Sequence, residues 1–302
     1  MDATTFAIRD EKQDHAIILI HGFSGESHHT FGMMPAFLAG NPELYSWDIH
    51  CFGYPTALRP DVTGVWAADP DLNTLAGFLI TAVEQTRFDK YNQLALIGHS
   101  MGGLIIQRAL LDGSFVSRVT HLVLFGTPSD GLKKAGLGKL FKRQVRDMDR
   151  DGAFIRLLRS DWTSRVGNNP RFGFRVIAGI RDEFVPRESS VDVFNAEYRS
   201  FIAGNHLEIV KPAVADADSM KLLVGLLTKP SEKVLESASA ATTELDELWN
   251  QRQGMNETER EELVYRLEAA GREKDAIDLL EGMPTRSTNL NGVLAGRLKR
   301  AG

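Results

Sequence analysis

Leu94-Ala95-Leu96-Ile97-Gly98-His99-Ser100-Met101-Gly102-Gly103 is the stretch on which the fold turns. Its first four residues are apolar without alternation, as suits a strand covered on both faces of a sheet. Glycines then bracket a serine, and Leu104-Ile105-Ile106-Gln107-Arg108-Ala109-Leu110-Leu111 continues with helical amphipathicity. A strand, a G-x-S-x-G turn and a helix in that order form a nucleophile elbow: small residues permit the tight turn, and the serine projects beside a helix N-terminus. The letters alone are short enough to arise by chance, so the flanking strand and helix carry the reading. A glycine-rich turn without chemistry is the plain alternative.

The same pattern extends in both directions. Strands are predicted at 16–20, 46–51, 93–97, 119–125, 174–180 and 199–203, with helices near 74–86, 101–111 and 213–227. Alternation of short apolar runs with helices predicts an α/β fold, a mostly parallel sheet flanked by helices. From residue 229 the composition shifts to Ser, Ala, Glu and Lys, and only helices are suggested beyond it. The expected organisation is a domain over 1–228, a linker over 229–241 and a small all-helical extension over 242–302. Asn256 and Glu259 have capping-box spacing, and Gly271 and then Gly282 with Pro284 read as helix stops. Helices are predicted over 273–281 and 289–299. Leu263, Leu267, Ile277, Leu279 and Leu280 are apolar positions that need a surface to cover them.

Composition removes several classes. The 302 residues are 43% hydrophobic and 25% charged, ordinary for a folded chain that is neither disordered nor membrane-embedded. The longest aliphatic run, 16–20, is far below the roughly 18 apolar residues of a spanning helix. A net charge of -5 argues against nucleic acid as a partner. Cys51 is the single cysteine, so no internal disulfide forms, and the first twelve residues lack the pattern of a secretory signal. A cytoplasmic location is expected.

A serine hydroxyl is a weak nucleophile and needs a base, which in turn needs an orienting carboxylate. Two histidines follow Ser100. His121 falls inside a predicted strand, whereas His206 follows the last strand, where a loop can carry the imidazole over the serine. Asp182 and Glu183 leave the end of the 174–180 strand together; Asp182 has the better position and Glu183 is the alternative. Fixed donors must meet the oxyanion of acyl transfer. The amide of Met101 is one, and Phe23, in the loop after the first strand, is the expected second. His21 reads as a structural hydrogen-bonding residue. The pair His28-His29 lacks carboxylate or cysteine partners at ligand spacing, and Gly136-Leu137-Gly138 follows no strand, so neither metal nor cofactor is expected.

These residues together resemble the α/β-hydrolase superfamily, in particular its lipase- and esterase-like branch. The resemblance is carried by His21-Gly22-Phe23, Gly98-His99-Ser100-Met101-Gly102-Gly103, Phe125-Gly126-Thr127-Pro128, Asp182 with Val185-Pro186, and His206. The stretch from Gly204 to Pro212 is similar to the histidine loop of serine-active-site-containing proteins and GPI inositol deacylases. Over about residues 1–228 the resemblance implies a Ser100, Asp182, His206 triad, an ester as target and no cofactor. It implies a lipid-like acyl group less directly, because the fold serves many hydrolases.

The 128–171 insertion is read as a cap or lid. It carries Lys133, Lys134, Lys139, Lys142, Arg143, Arg146, Arg150, Arg156, Arg159, Arg165 and Arg171 against Asp130, Asp147, Asp149, Asp151 and Asp161. Leu137, Leu140, Phe141, Val145 and Met148 recur among them at about helical spacing. A basic amphipathic lid that touches anionic lipid is one reading, and a solvated cap packed on the domain is the other. The expected activity is a serine hydrolase that forms an acyl-enzyme on Ser100; thioesters and amides would use the same machinery. The alternative is a hydrolase-fold effector or interaction module whose C-terminal helices dock a protein partner.

Overall fold

The computed structural model describes residues 5–22, 29–54, 70–133, 147–167, 169–229, 245–269 and 272–283. In chain order the first part contains β1 (Phe6–Arg9), β2 (His15–Ile20), α1 (Met34–Ala39), β3 (Trp47–Phe52), α2 (Leu72–Glu84), β4 (Gln93–His99), α3 (Met101–Asp112), β5 (Val119–Phe125), α4 (Ala153–Arg165), β6 (Gly173–Gly179), β7 (Arg199–Ile202) and α5 (Asp218–Leu227). The strands form one sheet in the order β1-β3-β2-β4-β5-β6-β7. β1 pairs antiparallel with β3, and the remaining pairs are parallel. This is an α/β-hydrolase arrangement, a mostly parallel sheet with helices on both faces.

The unbroken apolar runs follow from that double covering. Ile18, Ile20, Leu94, Leu96, Leu122 and Leu124 share a core with residues of α2, α3 and α4, whereas Ile17, Leu19, Ala95, Ile97, Val123 and Phe125 share the opposite core with residues of α1 and α5. Successive side chains on a strand point to opposite faces, and here each face is buried. Cys51 is buried in the second of these cores, which raises its thiol pKa to about 12 and leaves it a packing residue.

Three elements were not anticipated. β1 is a four-residue edge strand, held partly by Arg9, whose Nε donates to the Trp47 carbonyl at 2.9 Å. α1 begins with a proline in its first turn, where a missing N–H costs nothing. α4 comes from the second half of the insertion and buries Ile155, Leu158 and Trp162 in the same core as α3. Several cations read from sequence as part of a basic lid serve the domain instead. Arg150 pairs with Asp130 at 2.5 Å, Arg165 donates to the Leu111 carbonyl at 2.6 Å, and Arg159 donates to Gln107. Lys139, Lys142, Arg143 and Arg146 lie outside the described residues, as do most of the 229–241 linker, Gly271 and the 289–299 helix.

The chain divides into two compact units, Met1–Val234 and Leu235–Gly302. The second contains α6 (Glu257–Ala269) and α7 (Glu273–Glu281). Asn256 and Glu259 make the reciprocal capping box: the Glu259 amide donates to Asn256 Oδ1 at 3.0 Å, and the Asn256 amide donates to Glu259 Oε2 at 2.8 Å. Leu263, Leu267, Leu279 and Leu280 are buried with Leu245, Val264, Ala276 and Met283, so these helices cover their own apolar positions. Among the described residues, no helix is long and apolar enough to cross a membrane.

Candidate active site

β4 ends at His99 and α3 begins at Met101, which leaves Ser100 alone to make the turn. Its backbone has φ 54° and ψ -125°, a conformation that non-glycine residues seldom adopt and that costs on the order of 1–3 kcal/mol. The turn persists because both of its backbone groups are anchored: the Ser100 amide donates to the Phe125 carbonyl at 2.9 Å, and the Ser100 carbonyl accepts from the Gly103 amide at 3.0 Å. Glycine is required around it by close approach. A Cβ on Gly98 would lie 2.6 Å from Gly103 Cα, and one on Gly102 would collide with the His21 carbonyl. The first amide of α3, that of Met101, has no acceptor within its own helix, so it is free in direction to meet negative charge beside Ser100.

The loops after β6 and β7 bring two more of the sequence-predicted residues together. His206 Nδ1 donates to Asp182 Oδ2 at 2.8 Å, with the Asp182 side chain 2% exposed and that of His206 11% exposed. The other carboxylate oxygen accepts the amides of Phe184 at 3.0 Å and Val185 at 2.9 Å, so Asp182 is oriented by donors on both oxygens. With its proton on Nδ1, the imidazole presents a bare Nε2 that can accept one. Glu183 is exposed, and it is Asp182 that faces the histidine. Gly126, at φ +50°, closes the back of the pair: a Cβ there would stand 3.1 Å from both Asp182 Oδ2 and His206 Nδ1.

His99 is the participant that sequence reasoning passed over. It occupies the variable position of the motif, is 3% exposed, and its Nε2 donates to the His206 carbonyl at 2.9 Å. The two rings lie 4.6 Å apart. Burial, aided by the neighbouring His206, pushes its pKa down to about 3, so His99 is neutral. Its only signal in the sequence was its place between Gly98 and Ser100. Phe184 was also unassigned; its ring lies 5.6 Å from that of His206 and is 71% exposed, with Ile180 and Leu207 exposed on the same two loops.

His21 and His121 are accounted for structurally. His21 stacks on Tyr54 at 4.1 Å, accepts the Tyr54 amide on Nε2 at 3.4 Å and contacts the Gly22 carbonyl through Nδ1 at 2.9 Å. His121 is a buried residue of β5 at the sheet end opposite Ser100, where it meets Thr120 Oγ1 at 3.0 Å. Phe23 and His28 lie outside the described residues.

A serine on a strained turn after one strand of a mostly parallel sheet, with a carboxylate and a histidine on the loops after two later strands, defines the α/β-hydrolase class. Residues 17–269 match the alpha/beta hydrolase family, and the chain belongs to that family. Among solved structures, it resembles the mature form of lipase BlEst2 from Bacillus licheniformis, at 18% identity and a TM-score of 0.54 over 75% of this chain and 99% of the lipase. It also resembles phospholipase PlaB from Legionella pneumophila, at 15% identity and a TM-score of 0.55 over 74% of this chain; the match spans 61% of that phospholipase. At such identities the shared property is the fold. No curated protein matches the chain by sequence.

Proposed function

We propose that this hydrolase cleaves carboxylic esters through an acyl-enzyme on Ser100, with His206 as general base and acid and Asp182 as its orienting carboxylate. The observation that carries the reading is the 2.8 Å His206–Asp182 bond, on loops that reach back to the strained Ser100 turn through His99. Ser100 Oγ attacks the ester carbonyl as its proton passes to His206 Nε2. Asp182 stabilises the imidazolium so formed, and the amides of Met101 and Phe23 receive the oxyanion. His206 then protonates the departing alcohol. A water, deprotonated by the same nitrogen, attacks the acyl-serine and releases the acid and free Ser100. Neither a metal nor a cofactor is assigned a part.

A lipid-like acyl ester is the proposed substrate class. Its support is the apolar border of the site, where exposed Phe184, Ile180 and Leu207 suit a hydrocarbon more than a polar group. The lipase and phospholipase named above point the same way by analogy of fold. Contact with anionic lipid is proposed for the cations between Lys133 and Arg146, and contact with a protein for the C-terminal helices. Fluorophosphonate labelling, with hydrolysis of p-nitrophenyl esters of increasing chain length, tests the assignment. The reading requires one labelled residue, Ser100, and a kcat/KM that rises with acyl length; an unlabelled wild-type protein overturns it.

A further inference from the structure

We infer that His99 is a positioning residue: its Nε2–H holds the backbone of His206, and through it fixes where the imidazole stands relative to Ser100. This rests on the reading of His206 as the general base. The argument begins with the turn that carries that histidine. In the run from Asn205 to Glu208, three carbonyls take backbone amides: Asn205 accepts from Ile209 at 3.3 Å, Leu207 from Val210 at 3.3 Å and Glu208 from Lys211 at 3.1 Å. The Asn205 side chain takes two more amides, those of Leu207 and Glu208, each at 3.0 Å. The His206 carbonyl is the member of the run whose partner comes from elsewhere, and that partner is His99 Nε2, 107 residues away in sequence and adjacent to Ser100.

The bond therefore joins the nucleophile strand directly to the base-bearing loop. Without it a buried carbonyl loses its donor, and the loop keeps only contacts that do not refer to Ser100. The two other anchors of His206 are of a different kind: Asp182 fixes the ring through Nδ1, and Gly126 leaves room for it. Neither sets the height of the loop over β4.

His99 is itself held in the donating form. A carbonyl faces Nε2, so the proton resides there, and Nδ1 is buried without a hydrogen-bond partner. The ring is wedged against Phe31, edge-on at 6.5 Å, and Gly22, where an added Cβ would come within 3.3 Å of Nδ1. Burial disfavours a second proton most, the nearby charges of His206, His21 and Lys211 act in the same direction, and the bond to the His206 carbonyl opposes them only in part. Buried and neutral, His99 donates one hydrogen bond without competing for the proton being moved.

Two amide substitutions separate this role from simple packing. In His99→Gln the amide nitrogen reaches the position of Nε2 and can donate to the His206 carbonyl; in His99→Asn it stops at the position of Nδ1 and cannot. Gln also fills more of the site than Asn, so a third variant, His99→Met, matches Gln in length without a donor: a role in packing alone predicts that Met labels as fast as Gln, whereas positioning predicts that Met falls with Asn. The readouts are the second-order rate of fluorophosphonate labelling at Ser100, its pH profile, and the downfield proton signal of the His206–Asp182 bond. Expected are a loss on the order of 100-fold in labelling for Asn, with a displaced acid limb and a broadened proton signal, and recovery to within about threefold for Gln. Equal rates and profiles for Gln and Asn overturn the inference while leaving the function standing. Wild-type protein that does not label at all removes the function and this inference with it. Should one variant fail to fold, the other against wild type still decides: an Asn variant with the wild-type rate, or a Gln variant slowed 100-fold, is fatal.

Discussion

Among the described residues, two buried assemblies of histidine and aspartate sit at different places on the same sheet. Around β3, His50 Nε2 lies 2.6 Å from the Tyr91 hydroxyl, which donates to Asp48 Oδ2 at 3.0 Å. Asp48 also accepts the amides of Glu11 at 2.8 Å and Gln13 at 3.2 Å. At the C-terminal strand ends, His206 pairs with Asp182 beside Ser100. By residue type the first assembly looks as capable as the second. Its aspartate and tyrosine are fully buried, and their side-chain oxygens are spent on other parts of the fold. The second has a serine on a strained turn, an Nε2 left bare, and an exposed aromatic at its mouth. A histidine near an aspartate is therefore no site by itself; position at the carboxyl ends of the strands, where loops leave a crevice, makes the difference.

Substitution at the two assemblies should separate cleanly into losses of rate and losses of stability. Ser100→Ala has the largest expected effect, a fall in kcat of about 10⁶-fold on a soluble ester, with labelling abolished and thermal unfolding close to wild type. Asp182→Asn follows, with a fall of about 10⁴-fold, because an amide neither holds the required tautomer nor stabilises the imidazolium. Glu183→Gln, one residue along and exposed, should stay within about twofold in the same assay. A Glu183 variant that lost more than the Asp182 variant would move the acid and undo the contrast.

At the other assembly the damage should appear in unfolding. Asp48→Asn exchanges a charged acceptor of three donors for a neutral one, and the expected cost is about 2–3 kcal/mol in urea-unfolding free energy, with kcat per folded molecule unchanged. A drop in kcat at full stability would show the two assemblies to be coupled. The buried histidines add a pH dependence. Burial lowers the pKa of His50, His121 and His99 in the folded chain, the last to about 3 from an ordinary 6.5. As pH falls through 6.5 the unfolded chain takes up protons that the native imidazoles refuse, so stability declines from about pH 6.5 toward 3. Unfolding midpoints that do not change between pH 7 and 4 would contradict this.

The contrast also explains what the sequence could disclose. The Ser100 turn was legible because its geometry is local: a buried strand, two glycines and an amphipathic helix lie within about five residues on each side. His206 and Asp182 were legible because each follows a recognisable strand and chain order limits the choices. The Asp48 assembly was not, since it depends on β3 and Tyr91, two residues before β4, meeting across 41 positions of sequence. The role of His99 was hidden for the same reason across 107 positions. α4 was concealed by composition: its arginines resemble a basic lid until Arg159 and Arg165 are seen to be partnered inside the fold, Arg159 with Gln107 and Arg165 with the Leu111 carbonyl at 2.6 Å. β1, four residues long on a sheet edge, has too little apolar pattern to announce itself.

The smallest expected effect concerns the second unit. If the proposed chemistry gathers at the strand ends of Met1–Val234, then Ser100, Asp182 and His206 all belong to that unit. The helical unit has a core of its own in Leu245, Leu263, Val264, Leu267, Ala276, Leu279, Leu280 and Met283. α5 already closes the hydrolase layer, with Met220, Leu223 and Leu227 buried in the core beside β2 and β5. Truncation after Val234 should therefore give a soluble fragment whose Ser100 labels at the wild-type rate within about twofold. Insolubility or a shifted unfolding transition would assign the helices to the stability of the catalytic unit. A soluble fragment slowed at Ser100 would instead make the second unit a regulator of the first, and the division between a chemical region and a helical one would no longer hold.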